Sequence, residues 1–545
     1  MLRHYLKIAF RNMTKQKMYA AVNIGGFAIG IAACLLIALY IKNELSYDSQ
    51  HPNGNRVYRI IGRAKMNGIE HSGISFPAPM TKALVNDFPD IEKAGRIMAS
   101  SLFGGAGSNQ IRRIEKPDDS YETGFCFADQ AVLDILNIPI VQGDKAHALT
   151  EPFSMVISKS MADKYFPNED PVGKSMYFND RTKMPIKIGG VMKDFPSTSH
   201  LQYKFFISLA GVAFWEGEQE SWNSSNYGIY LLLKPGVNIA NFEKKVTKDV
   251  LDKYMIPARE ATGQTDARAN LSSAHLYLQS LKDIHLKSYD IEEDVAKKGD
   301  MRFVWLFGAV ACFILMLACI NFLNLSTARS ANRAKEVGLR KVIGSQRINL
   351  IKQFLTESLL YSFLSFSIGI VLAYILLPFF NQIAADHLTI PWMQWWLLPF
   401  LFLSAVIIGL IAGLYPAFYL SAFQPIKVMK GQLSRGSKNA GLRGILVIFQ
   451  FTTSVILLIG TLVIYRQMQY ILNKKIGFEK DQVVTIQGTN TLDKQTASFK
   501  NELLKQPQVK SVSVSDFLPV TGTKRNFNTF WKEGKTKEEA GVQRL

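Results

Sequence analysis

Cysteine is scarce, with four in 545 residues. Cys34, Cys312 and Cys319 lie in apolar runs, and Cys126 stands alone in polar sequence. That excludes a disulfide framework in the polar part. Metal-ligand spacing is missing too. The eight histidines are scattered, HExxH and CxxC do not occur, and His275 and His285 have no third ligand in register. Gly173-Lys174-Ser175 ends like a phosphate loop, but the glycine needed five residues earlier is Asn168, so the full GxxxxGK[ST] pattern fails. Acid is also in deficit: 44 Asp and Glu against 63 Lys and Arg, a net charge of +19. No zinc finger, aromatic platform or recognition helix accompanies that charge, so nucleic acid is not an expected partner. Charged residues make up only 20% of the chain and hydrophobic ones 48%. The apolar share is concentrated in five long runs, which excludes a purely soluble enzyme, a disordered chain and a coiled coil. The pattern is that of a multi-span membrane protein with a large water-exposed part.

The first run, Met18 to Ile41, has 24 residues without a charge, enough to cross a bilayer. Arg3, Lys7, Arg11, Lys15 and Lys17 precede it with no acid. No convincing small-x-small cleavage site follows, so it is read as a retained anchor. Spans two and three are placed at residues 303–328 and 358–385. The uncharged stretch 388–426 is long for one helix, and it is read as one span from Pro391 to Leu414 followed by an interfacial segment. Pro416 is expected to end or kink that helix. Span five is 444–465. Residues 329–357 hold seven basic residues against two Glu, and 427–443 hold five basic residues and no acid. With the basic residues 1–17, these make three cytoplasmic segments by the positive-inside bias. Residues 42–302 and 466–545 then fall outside. None of the five runs as drawn contains Asp, Glu, Lys, Arg or His, unlike the mid-membrane sites of ion-coupled pumps. Gly26 with Gly30, and Gly409 with Gly413, have the small-xxx-small spacing of helix packing.

The exported insert reads as a mixed α+β domain. Strands are predicted at 57–63, 154–157, 186–192 and 227–233, helices at 158–165 and 241–254, and a loop at 257–270. The Glu292, Glu293, Asp294 cluster is expected to be a solvated helix face. Segment 328–359 is the most informative. Glu336 precedes Arg340 by four residues, the favourable order on a helix. Gly344 is placed to break or cap it. Ile348, Ile351 and Leu355 form an apolar face leading into span three. The segment is either a lever joined to a membrane helix or a basic loop on anionic lipid. Residues 5–48 and 442–481 look alike, each a span feeding a strand-like stretch (57–60 and 483–486), which suggests a duplicated unit.

Three stretches carry a family resemblance: Arg3 to Gly30, Arg333 to Ser358, and Gly413 to Gly431. With Met155 to Met176 and Ile186 to Pro196, the chain resembles permease subunits of the FtsX-like, macrolide-exporter-type ABC transporters. More narrowly it resembles the eight-span form common in Bacteroidetes, with an expected C-terminal truncation and the start of a second periplasmic domain at 466–545. The resemblance implies a multi-pass inner-membrane subunit with a cytoplasmic N-terminus. Its first insert, 42–302, would be the periplasmic core domain and stalk. A separate cytoplasmic ABC ATPase dimer would use ATP, and this chain would bind no cofactor and catalyse nothing. Arg333, Glu336, Arg340, Lys341, Gly344 and Arg347 would then contact the ATPase. Further implied partners are a second permease copy or paralogue, a periplasmic adaptor or outer-membrane channel, and membrane lipid. The implied function is export of a peptide, drug or lipid-linked substrate. The alternatives are mechanical regulation of an envelope enzyme without transport, and a receptor or scaffold.

Overall fold

The computed structural model describes residues 2–544 except 67–68, 100–108, 117–119, 180–181, 183, 265, 292–293, 295, 329–336, 422–439, 475–481, 487–488, 516–526 and 531–540. The chain forms two compact units, residues 1–45 with 301–481, and residues 46–300 with 482–545.

In the helical unit, a pre-span helix (Leu2–Lys15) is broken at Gln16 and followed by the first span helix (Lys17–Leu45). The other span helices are Met301–Ala328, Arg347–Ala384, Leu397–Ser421 and Ala440–Asn473. Among the described residues, five helices are long and apolar enough to cross a membrane. Most outrun the charge-free stretches that mark them, because helical backbone bonding continues into the polar flanks. Span helix three has 38 residues, so the amphipathic lead-in and the span are one rod. Span helix four begins only at Leu397 and passes through Pro416 to Ser421, contrary to the expected stop. A proline removes one backbone bond, but tertiary contacts hold the last turn: Ala417 is fully buried and Ser421 is hydrogen-bonded from two cations.

Spans one and two pair along an antiparallel seam. It runs from Tyr19 Oη with Ser326 Oγ at 2.9 Å, through Phe27 against Phe322, to Tyr40 against Phe307. A Cβ at Gly30 would lie 3.2 Å from Ala318 Cβ, and one at Gly26 3.4 Å from Asn321 Nδ2. Spans three and four meet still more closely. A Cβ at Gly413 would lie 2.6 Å from Ser358, and one at Gly409 3.0 Å from Ser362, whose hydroxyl donates to Ala405 O. Small residues every fourth position let these backbones approach.

The insert folds around a 13-stranded sheet. Its strands are β1 (Val57–Met66), β2 (Ile69–Gly73), β3 (Ile91–Ala99), β4 (Asn109–Arg113), β5 (Ser120–Glu122), β6 (Phe125–Ala128), β7 (Ile140–Gly143), β8 (Ser154–Ser158), β9 (Ser175–Phe178), β10 (Ile186–Met192), β11 (Phe205–Ser208), β12 (Gly228–Leu233) and β13 (His275–Ser280). The main path is β13-β1-β12-β3-β6-β11-β8-β10-β9-β4-β5, with β2 on β1 and β7 on β10. Two pairs, β8/β10 and β6/β11, are parallel. β12 is buried throughout because both faces are covered, and its side chains alternate between two cores. Ile229, Leu231 and Leu233 join Met80, Leu84, Phe242 and Val246 from helices Met80–Asp87 and Ile239–Val250. Tyr230 and Leu232 face Val132, Leu133 and Phe206 on the other side. At Gly189 a Cβ would stand 2.1 Å from Ala148 O, so only glycine lets that loop cross the sheet.

The expected loop 257–270 contains two short helices, Ile256–Glu260 and Ala267–Leu271. Residues 483–486 are not a strand, and Val483 and Val484 are exposed, so the likeness to β1 does not extend to local structure. Beyond span five, a helix (Thr496–Leu504) and a two-stranded pairing, Phe527–Phe530 with Gly541–Arg544, are described.

Candidate functional site

The connector from span two to span three returns to view at residue 337. Residues 337–342 are helical and end at Gly344, whose φ is +97°. There Ser345 N–H donates to Arg340 O (2.9 Å) and Gly344 N–H to Lys341 O (3.1 Å). These are the two reversed bonds of a glycine-capped helix end.

Three cations then fasten this short element to its neighbours. Arg340 Nη1 donates to Gln353 Oε1 (2.6 Å) on span helix three. Lys341 Nζ donates to Ser421 O (2.7 Å), and Arg347 Nε to Ser421 Oγ (3.3 Å), at the end of span helix four. Burial, and then the nearby Arg347 charge, hold the Lys341 ammonium below its ordinary pKa. Beneath lie Val337, Leu350, Ile351, Phe354 and Ala417 as one buried cluster. Ile348, expected on that inner face, is half exposed, because the rod turns it away from the contact with span four.

Three apolar side chains of the knot are exposed. Leu339 is 60% exposed, Val342 61% and Ile343 78%. Sequence reasoning selected the charged residues here and missed these three. The available clue was an i, i+3, i+4 apolar set beside a capping glycine. Of the coupling candidates, the structure brings Arg340, Lys341, Gly344 and Arg347 into this knot. Arg333 and Glu336 lie outside the described residues. Gly409 and Gly413 sit one to two turns above it, and Gly26 and Gly30 line the seam of spans one and two. Asn324 Nδ2 donates to Gln450 Oε1 (3.3 Å), joining spans two and five.

A second polar construction lies inside the sheet domain, at the two connectors that join it in sequence to the first two span helices. On the inbound connector, Asp48 (φ 54°) is wholly buried. His200 N–H donates to Asp48 Oδ1 (3.2 Å), and His200 Nδ1 lies 2.9 Å from the same oxygen. His200 Nε2 meets Tyr230 Oη at 2.8 Å. On the outbound connector, Asp294 pairs with Arg59 of β1 at 2.9 Å, with both side chains almost fully buried. Burial pushes the Asp294 carboxyl up, but Arg59 and the Ala296 amide outweigh it and hold it below the usual range. Asp294 is therefore not on a solvated helix face. It was missed because its partner lies 235 residues away. The connectors are also tied to each other. Tyr47 stacks on His285 at 3.4 Å, His285 Nδ1 bonds Lys297 O, and Lys297 N–H donates to His200 O.

A recess of about 480 Å³ opens beside Arg96, Asp129 and Gln219. Its guanidinium is already engaged by Asp129, Gln219 and Ala78 O. Gly173 to Ser175 form a turn into β9, and Lys174 pairs with Glu169. Among the described residues no group of His, Cys, Asp and Glu could hold a metal ion. Cys126 is buried, its thiol donating to Met98 O.

Residues 20–249 match the MacB-like periplasmic core domain, and residues 308–425 match the FtsX-like permease C-terminal domain. The uncharacterized ABC transporter permease YvrN of Bacillus subtilis (strain 168) is 22% identical over 458 residues, 79% of this chain and 100% of its own length. The macrolide export ATP-binding/permease protein MacB of Escherichia coli is 26% identical over 181 residues, 33% of this chain. The chain spans 28% of that relative's length. The crystallised periplasmic region of MacB from Actinobacillus actinomycetemcomitans aligns with 42% of this chain and 91% of its own, at 14% identity and a TM-score of 0.28.

Proposed function

We propose that this chain is a permease subunit of the MacB/FtsX-like ABC-transporter family, whose models match residues 20–249 and 308–425, and that its capped knot, residues 337–347, is where a separate cytoplasmic ATPase dimer docks and drives the helices. The observation that carries this reading is the division of labour in the knot. Its cations are turned to its own span helices, while Leu339, Val342 and Ile343 face outward. An apolar knob on a capped, cross-braced element suits a groove in a partner, and burying such residues is where interface energy concentrates. Because span helix three is one rod from Arg347 to Ala384, a push on the knot moves a whole membrane helix. Glu336 and Arg333 belong to the same docking segment in this reading.

Orientation follows from charge: the basic N-terminus and the two basic connectors are cytoplasmic. Spans one and five then both run outward, and the residues after span five begin a second periplasmic domain. The work done outside is export or extrusion of a peptide, drug or lipid-linked substrate, with an adaptor or outer-membrane channel and a second permease copy or paralogue as further partners. Regulation of an envelope enzyme by the same motion is the second reading. It is favoured by the lack of Asp, Glu, Lys, Arg and His in the middle of the spans.

The test is co-purification of the full chain with its ATPase, with ATP turnover measured in the complex. Val342→Asp with Ile343→Asp is expected to abolish association and turnover stimulation while the melting temperature stays put. Retained association would remove the knot from the interface. For orientation, Glu70→Cys is expected to react with an impermeant thiol reagent in intact spheroplasts, and labelling only after lysis would invert the map.

A further inference from the structure

The pre-span helix Leu2–Lys15 divides into two faces. Ala9 is buried, with Tyr5, Ile8, Asn12 and Met13 half-buried beside it, and this face packs on span helices one and three. The opposite face is exposed and holds two parallel rows. Arg3, Lys7, Arg11 and Lys15 recur every fourth residue, all exposed. One step round, Leu6 is 42% exposed and Phe10 59%. After the break at Gln16 the same side continues to Met18, 79% exposed. No acid occurs between residues 2 and 17.

A soluble surface would not interleave Leu and Phe with four uncompensated cations. The arrangement suits a surface where one helix face meets both hydrocarbon and negative charge. Cations one turn, or about 6 Å, apart can each snorkel to a phosphate while the neighbouring apolar row dips beneath the headgroups. The position of the helix fixes the depth, because a single residue separates it from a bilayer-spanning helix. We propose that the exposed face of Leu2–Lys15 is a binding surface for anionic phospholipid headgroups, with Lys7 and Arg11 the principal contacts and Phe10 the apolar anchor. The charge complementarity selects lipid over a protein groove, since the rows run along the helix at the membrane boundary. This goes beyond the transport reading and does not depend on the ATPase.

The experiment reconstitutes the full chain in mixed bilayers and measures preference for spin-labelled phosphatidylglycerol over spin-labelled phosphatidylcholine by electron paramagnetic resonance. Wild type is expected to prefer the anionic lipid. K7Q/R11Q, which leaves Lys15 and Lys17 to hold orientation, is expected to lose most of that preference, up to about fivefold for each cation removed. K7R/R11K is expected to keep it. A second measurement needs no variant: amide exchange of residues 2–15 should be slower in phosphatidylglycerol nanodiscs than in phosphatidylcholine nanodiscs. Equal exchange in the two lipids, or an undiminished preference in K7Q/R11Q, overturns the proposal. So does protection of residues 2–15 by added ATPase that is the same in both lipids, which would make the face a protein interface.

Discussion

The knot at residues 337–347 and the connector network of the sheet domain solve one mechanical problem in opposite ways. Each ties chain segments that are remote in sequence. In the knot the cations are half-buried or exposed and bond to neutral oxygens of Gln353 and Ser421, leaving apolar side chains outside. In the connector network Asp294 and its partner Arg59 of β1 are about 1% and 2% exposed and bond to each other. Neutral partners at a surface make a brace that can yield. A buried ion pair does not loosen by degrees, because breaking it strands a charge in a low-dielectric interior. The knot therefore suits an element that shifts under load, whereas the connectors suit a domain that holds together as one piece.

The sharpest way to break this contrast is to remove one member of each brace. Asp294→Ala leaves Arg59 buried and unpaired and is expected to cost about 3–5 kcal/mol, read as a lower denaturation midpoint of the full chain. Lys341→Met, which removes the bond to Ser421 O from a side chain that is not fully buried, should cost less, about 1–2 kcal/mol. Equal losses would mean that the two constructions are mechanically alike. Next in size is Gly344→Ala. A side chain at φ +97° is expected to cost about 1 kcal/mol, and its larger effect should appear as weakened ATPase association with unchanged expression. Acid provides the smallest effect. Burial, against the attraction of Asp48 and with repulsion from His200, holds His51 below its ordinary value of 6.5. The folded state therefore binds fewer protons than the unfolded one near that pH. Its stabilising contribution is present above pH 6.5 and lost as pH falls. A shallow decline in the melting temperature of wild type that is absent in His51→Gln would check this, and no difference between them would place the acid sensitivity elsewhere.

Much of the chain could be read without its fold. Long charge-free runs announced the span helices, alternation announced β1, and short strand-like runs announced β8, β10 and β12. What could not be read is instructive. Three outward apolar side chains of the knot were overlooked because exposure is a tertiary property, and Leu339 and Val342 look like core residues in any pattern. Asp294 was assigned to solvent because the guanidinium that buries it comes from β1. Pro416 was expected to end or kink its helix because local propensity says so, and the helix continues to Ser421, where Lys341 and Arg347 hold the turn beyond it.

The sequence alone therefore determined which described helices are long and apolar enough to cross a bilayer, the basic character of their flanks, and the presence of a mixed domain between the first two. These properties depend on local transfer energies and charge counts, which add up residue by residue. Only the tertiary structure decided which cations brace and which stay exposed, which acid is buried, and which apolar side chains are left exposed. Those depend on distances between residues far apart in the chain, and no local sum contains them.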